Sequence, residues 1–225
     1  MTELSNGISE PNKAALAKSL MARFKWVRAL FYASAVGNFI MLIGVVLVFS
    51  TDFSGYNPDV DITTSDMFVG IGALLYLPAF LGSVVAFSMF SYRAMKNLHI
   101  WESRSAEMSP GWAVGWYFVP IANLWKPYQA MEQIWDGSNE VVSGKLISNS
   151  KIGLWWALWI VTSIASRISD GMSKMDGPWN IVLKQAAVVD LIAVLSSIVA
   201  IFLIVPTLKM IAERQDGKLQ SESFE

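Results

Sequence analysis

The stretch ALFYASAVGNFIMLIGVVLVF, Ala29 to Phe49, holds one strongly polar side chain, Asn38, among 21 residues. As a helix it is about 31 Å long at 1.5 Å per residue, enough to cross roughly 30 Å of hydrocarbon. A soluble helix of this length would present a charged face to water, and this stretch has none. Three more segments meet the same test: Met67 to Tyr92, Lys151 to Ile168, which is short and Trp-rich, and Ala186 to Leu208. Each is continuous, whereas the strands of a membrane barrel alternate apolar and polar residues over short segments. The expected fold is therefore all-α: a polytopic membrane helix bundle with four transmembrane helices.

Composition agrees. Of 225 residues, 54% are hydrophobic and only 16% charged, short of the quarter or so a soluble domain needs to hydrate its surface. There is no Cys, and His99 is the single histidine, so thiolate chemistry and Cys/His metal or haem ligation are excluded. The first residues are polar and acidic, without the basic-then-apolar pattern of a cleaved signal peptide, so the first apolar segment is expected to act as the insertion signal.

Loop charges orient the helices. Of the 17 Lys and Arg, only Arg167, Lys174 and Lys184 fall between the third and fourth spans, and none falls between the first and second. That first loop carries Asp52, Asp59, Asp61 and Asp66 instead. Because cytoplasmic loops hold the Lys/Arg excess, both termini are expected in the cytoplasm. Residues 1–28 read as a basic N-terminal helix, with Leu16, Leu20, Phe24 and Val27 on one face. Residues 29–210 form the membrane domain and 211–225 a polar cytoplasmic tail, expected to be disordered from Glu213 onward.

A fifth apolar stretch, Gly111 to Leu124, covers only about 21 Å as a helix and is punctuated by Pro110, Pro120 and Pro127. If it spanned, Lys126, Lys145, Lys151 and the C-terminal cations would move outside, a weaker charge asymmetry. We read 111–135 as an interfacial or re-entrant segment. Beyond it, Leu124, Tyr128, Met131 and Trp135 share one helical face, which suits an amphipathic helix in the headgroup region or one packed on the bundle.

The run SPGWAVGWYFVPIANLWKPYQAMEQIW, Ser109 to Trp135, resembles the signature of a bacterial membrane family, domain of unknown function 4328. The hydrophobic pattern from about Ala29 to Met210 fits it as well. The resemblance implies an integral membrane protein of bacterial origin and implies no activity; the expected location is the inner membrane.

The same run holds the first candidate site: Pro120, Asn123, Trp125, Lys126, Pro127, Tyr128 and Gln129. Each proline leaves a carbonyl of the preceding turn without its donor. Such carbonyls at membrane depth need other protein groups or water, and Asn123 and Gln129 carry amides suited to that. One reading is a polar pocket for a lipid headgroup or small anion; the other is a structural elbow with Lys126 snorkelling to phosphate. A second candidate is an ion pair of Arg167 with Asp190, since charges near hydrocarbon call for partners; Asp170 is an alternative partner in the same turn. Asn38, with Ala33 and Gly37 one turn apart, suggests close packing against Gly82 and Ala86. His99 with Glu102 and Glu107 reads as a solvated loop, not a metal site.

No nucleophile–base pair, phosphate loop or nucleic-acid module is present, so no catalytic residue, cofactor or nucleic-acid partner is expected. The expected role is non-enzymatic. It would act through the lipid bilayer, anionic lipid headgroups, further copies of itself or other membrane proteins. An oligomeric transporter or channel subunit is the alternative. Reporter fusions after Asp59 should read periplasmic, and those after Gly144 and at the C-terminus cytoplasmic. A periplasmic signal at Gly144 would mean that 111–124 crosses the membrane.

Overall fold

The computed structural model describes residues 16–57, 60–146, 149–175 and 178–223. Among the described residues six α-helices follow in chain order: α1 Met21–Leu47, α2 Thr64–Ile100, α3 Trp112–Gly115, α4 Lys126–Ser143, α5 Ser150–Met172 and α6 Trp179–Glu222. Single 3-10 turns lie at Val48–Ser50, Trp116–Phe118 and Ala122–Leu124. No strand occurs among the described residues. Four of the helices, α1, α2, α5 and α6, are long and apolar enough to cross a membrane. Helix is forced on them, because hydrocarbon offers no partner for backbone N–H and C=O groups.

Two helices outrun the expected spans. α2 starts at a reciprocal cap, in which Thr63 N donates to Asp66 Oδ2 (2.9 Å) and Asp66 N to Thr63 Oγ1 (3.2 Å). It contains Pro78 and runs to Ile100, about 55 Å at 1.5 Å per residue. α6 contains Pro206 and runs to Glu222, so the disorder expected from Glu213 onward is corrected to helix as far as Glu222. Leu208, Ile211, Ala212 and Gln215 recur at helical spacing and are fully buried, which holds that end in place.

α1 is one continuous helix from Met21 to Leu47, with no breaker at Arg28, so the N-terminal helix runs straight on into the first span. Leu20, Phe24 and Val27 are buried as one stripe, whereas Leu16 is 48% exposed. The N-terminal segment is thus packed against protein rather than lying free. Lys13 and the rest of residues 1–15 lie outside the described residues, as does Asp59. The segment 111–124 is too broken to span, consisting of a four-residue helix and two 3-10 turns.

Contacts divide the chain into two compact units. The first comprises Met1–Val27, Val85–Ile152 and Pro206–Glu225; the second comprises Arg28–Val84 and Gly153–Val205. In the second unit, α1 and α2 approach backbone to backbone. A Cβ on Gly37 would lie 2.8 Å from Tyr76 N and 2.9 Å from Gly72 O, and one on Gly72 would lie 2.7 Å from Met41 N. The small partner of Gly37 is therefore Gly72. Gly82 lies against Leu30 instead, with Ala86 one turn beyond it. Asn38 is buried and donates from Nδ2 to Ser197 Oγ of α6 at 3.0 Å, and Thr162 Oγ1 of α5 donates to the Ala193 carbonyl at 3.3 Å. Such interhelical bonds and small-residue contacts hold helices together where the hydrophobic effect between them is absent.

Gly37→Ala should cost about 2 kcal/mol through overpacking against backbone that has nowhere to go. Gly70→Ala on α2, whose added Cβ meets nothing within 4 Å, should be neutral. Thermal unfolding of both variants in detergent checks the pair.

Candidate functional site

The first unit is built around side chains that interrupt otherwise apolar stripes. Asn97 on α2 follows Phe90 and Ala94 along the buried face, and Gln215 on α6 follows Leu208 and Ile211; both are wholly buried. Gln215 Nε2 donates to Ser138 Oγ of α4 (2.9 Å) and to the Ala94 carbonyl (3.3 Å). Asn97 Nδ2 donates to Gln215 Oε1 (3.0 Å) and the Lys18 carbonyl (2.9 Å), while its Oδ1 accepts from Lys18 N (3.2 Å). Every amide atom of the pair is thereby used, which is what burying them requires. Next to Gln215, Asp216 accepts from Leu20 N at 2.8 Å and from Ser19 Oγ at 2.5 Å, capping the start of α1 from another helix.

α4 is clasped at its far end. Glu140 accepts from Ser103 Oγ (2.7 Å), Ser105 Oγ (2.9 Å), Ser105 N (3.1 Å) and Arg104 N (3.3 Å). Burial pushes the Glu140 carboxyl up, but these bonds outweigh it and hold it below its ordinary 4.5. Gly137 permits the approach, since a Cβ there would lie 2.6 Å from Leu98 Cδ1 and 3.0 Å from Ser103 Oγ. Gly144, at φ 66°, ends the helix with its N–H on the Glu140 carbonyl.

The buried face of α4 is Pro127, Ala130, Met131, Ile134, Trp135 and Ser138. It shares Met131 and Trp135 with the expected stripe. Leu124 precedes the helix and is 54% exposed, and Tyr128 is half-buried. The Tyr128 hydroxyl donates to Glu132, and that bond, with burial and the acids Glu132 and Asp136, raises the phenol to about 12. Burial and Glu132 likewise raise Asp136.

At the head of α4 the candidate elbow is open. Pro120 and Gln129 are exposed and Trp125 is 44% exposed, while Pro127 is buried in the first turn, where a proline costs no hydrogen bond. Asn123 Oδ1 is buried without a partner, and the Asn123 backbone N–H donates to the Val119 carbonyl at 2.8 Å. Among the described residues neither the Asn123 nor the Gln129 amide side chain reaches a carbonyl left free by proline. The structure instead brings Lys126 to Trp116, its Nζ 5.9 Å from the ring centroid, and stacks Trp112 on Trp116 at 4.4 Å. Gly115 admits this stack, since a Cβ there would press on Trp112 at 3.1 Å. Around these rings Trp112 (51%), Phe118 (69%), Ile121 (73%) and Leu124 are exposed.

The second candidate is corrected. Among the described residues Arg167 and Asp190 form no ion pair. Ala165 and Ser169 mark the inward stripe of α5, so Arg167, half a turn away, is exposed. Ser169 Oγ donates to the Ala186 carbonyl of α6 at 3.4 Å, and Asp170 pairs with Lys174 at 2.7 Å. His99 sits against the Met108 carbonyl (3.0 Å), and no group of His and acids suited to a metal occurs among the described residues. Sequence reading missed Asn97, Gln215, Ser138 and the Trp112–Trp116 platform. The available signal was an amide at a position where the helical period calls for an apolar residue.

A family model described as Domain of unknown function (DUF4328) matches residues 57–213. No curated protein and no solved structure matches the chain.

Glu140→Gln should cost about 2 kcal/mol, the scale of a hydrogen-bonded charge. Because the folded carboxyl lies below 4.5, the wild-type clasp is complete above that pH and is lost as pH falls through the folded value. Melting curves in detergent at neutral and acid pH should therefore converge for the two proteins at low pH.

Proposed function

Starting from a chain that belongs to the DUF4328 family, whose model covers residues 57–213, we propose a membrane protein that works without catalysis, through contacts with lipid and with other membrane proteins. Its place is the bacterial cytoplasmic membrane, with both termini on the cytoplasmic side. The supporting observation is the elbow: Trp112, Phe118, Ile121, Leu124 and Trp125 are all exposed within a stretch too short and too broken to span. A soluble surface rarely leaves so many large apolar side chains together. The same set is suited to the boundary between headgroups and acyl chains, where Trp is favoured and Lys snorkels. Its support is the amide network and the Glu140 clasp, which hold α4 and so present the elbow on a rigid base.

The absence of cysteine makes the test direct. A cysteine at Phe118 or Ile121, in protein reconstituted in vesicles, should react poorly with a water-soluble maleimide and be quenched by lipid-borne probes. One at Gly144 should react freely. Equal, rapid labelling at all three sites would sink the reading.

A further inference from the structure

The elbow has an uneven hydrogen-bonding inventory. Trp indole nitrogens and the Lys ammonium donate and never accept. Among the described residues, Trp112, Trp116, Trp125 and Lys126 make no side-chain hydrogen bond, and Lys126 makes no ion pair beyond its contact with the Trp116 ring. The acceptor side chains nearby are otherwise disposed. Asn123 Oδ1 is buried, the Tyr128 hydroxyl is turned to Glu132, and the exposed Gln129 amide donates as well as accepts. Lys126 also opens α4, an 18-residue helix with no acid in its first turn, so the cation lies at the positive end of the helix dipole. Four donors and a local positive charge, framed by exposed apolar side chains, suit an anionic acceptor that itself carries apolar tails.

Resting on the reading that the elbow enters the bilayer surface, we propose that it is a binding site for the phosphodiester of an anionic glycerophospholipid. Lys126, steadied over Trp116, supplies the charge. The indole N–H groups of Trp112 and Trp125 bond to phosphate or ester oxygens, and Phe118, Ile121 and Leu124 lie against the acyl chains. A zwitterionic headgroup fits less well, because its ammonium is repelled by Lys126.

The test uses the full chain in vesicles of phosphatidylcholine with increasing phosphatidylglycerol, with an environment-sensitive dye on Ile121→Cys and lipid retention read by native mass spectrometry. Phosphatidylglycerol should be retained in preference. Lys126→Gln should weaken that preference about fivefold, the worth of one lysine at an anionic surface, while Lys126→Arg keeps it. The double change Trp112→Phe and Trp125→Phe should weaken it while leaving the dye in an apolar environment. Unchanged preference in Lys126→Gln overturns the proposal, and so does displacement of the lipid by inorganic phosphate or crosslinking of the residue-121 cysteine to a protein instead of lipid. A dye in an apolar environment with no lipid preference defeats this inference alone. A dye in water in every vesicle defeats the proposed function with it.

Discussion

Hydrocarbon leaves a polypeptide no outside partner for its backbone, and most of this structure follows from that constraint. Four apolar segments become helices because helix alone closes every N–H and C=O within the segment. Where lipid also removes the hydrophobic drive between helices, small residues and a few polar bonds do the packing. Gly37 against Gly72, and Asn38 to Ser197, are that solution in the second unit. α2 and α6 then continue well past the length a bilayer needs, and the extended parts meet a different requirement.

In the first unit the problem is to bury the amides of Asn97 and Gln215 without leaving either unpaired. Asn97 and Gln215 achieve it by using all their amide atoms on each other, on Ser138 and on backbone. Asp216 brings the start of α1 to the end of α6. A network of this kind is costly when incomplete and specific when complete. It holds α2, α4 and the start of α1 to α6. That rigidity matters to the elbow, whose exposed rings are held by α4 rather than by a long flexible loop.

The resemblance of Ser109 to Trp135 to DUF4328, carried by its prolines, tryptophans and Asn123, agrees with a family match that covers most of the chain. The same residues are where the expected chemistry and the observed chemistry diverge. Asn123 and Gln129 were the expected polar partners, because an amide is what a freed carbonyl wants. In the folded chain Asn123 turns its oxygen inward and Gln129 turns outward, leaving Lys126 and the indoles as the outward-facing donors.

Uninterrupted apolar length was legible without any coordinates, since the hydrocarbon thickness is a fixed yardstick for α1, α2, α5 and α6. So were the demotion of 111–124 by its prolines and the grouping of Met131 with Trp135 on one face. The tertiary structure alone decided that 211–222 is helix and that Leu20, Phe24 and Val27 pack inward. It also showed that Arg167 is exposed and unpaired with Asp190, and that Trp116 carries Lys126. Each of those depends on what lies opposite a residue, and helical periodicity records which face a side chain occupies, not which neighbour meets that face.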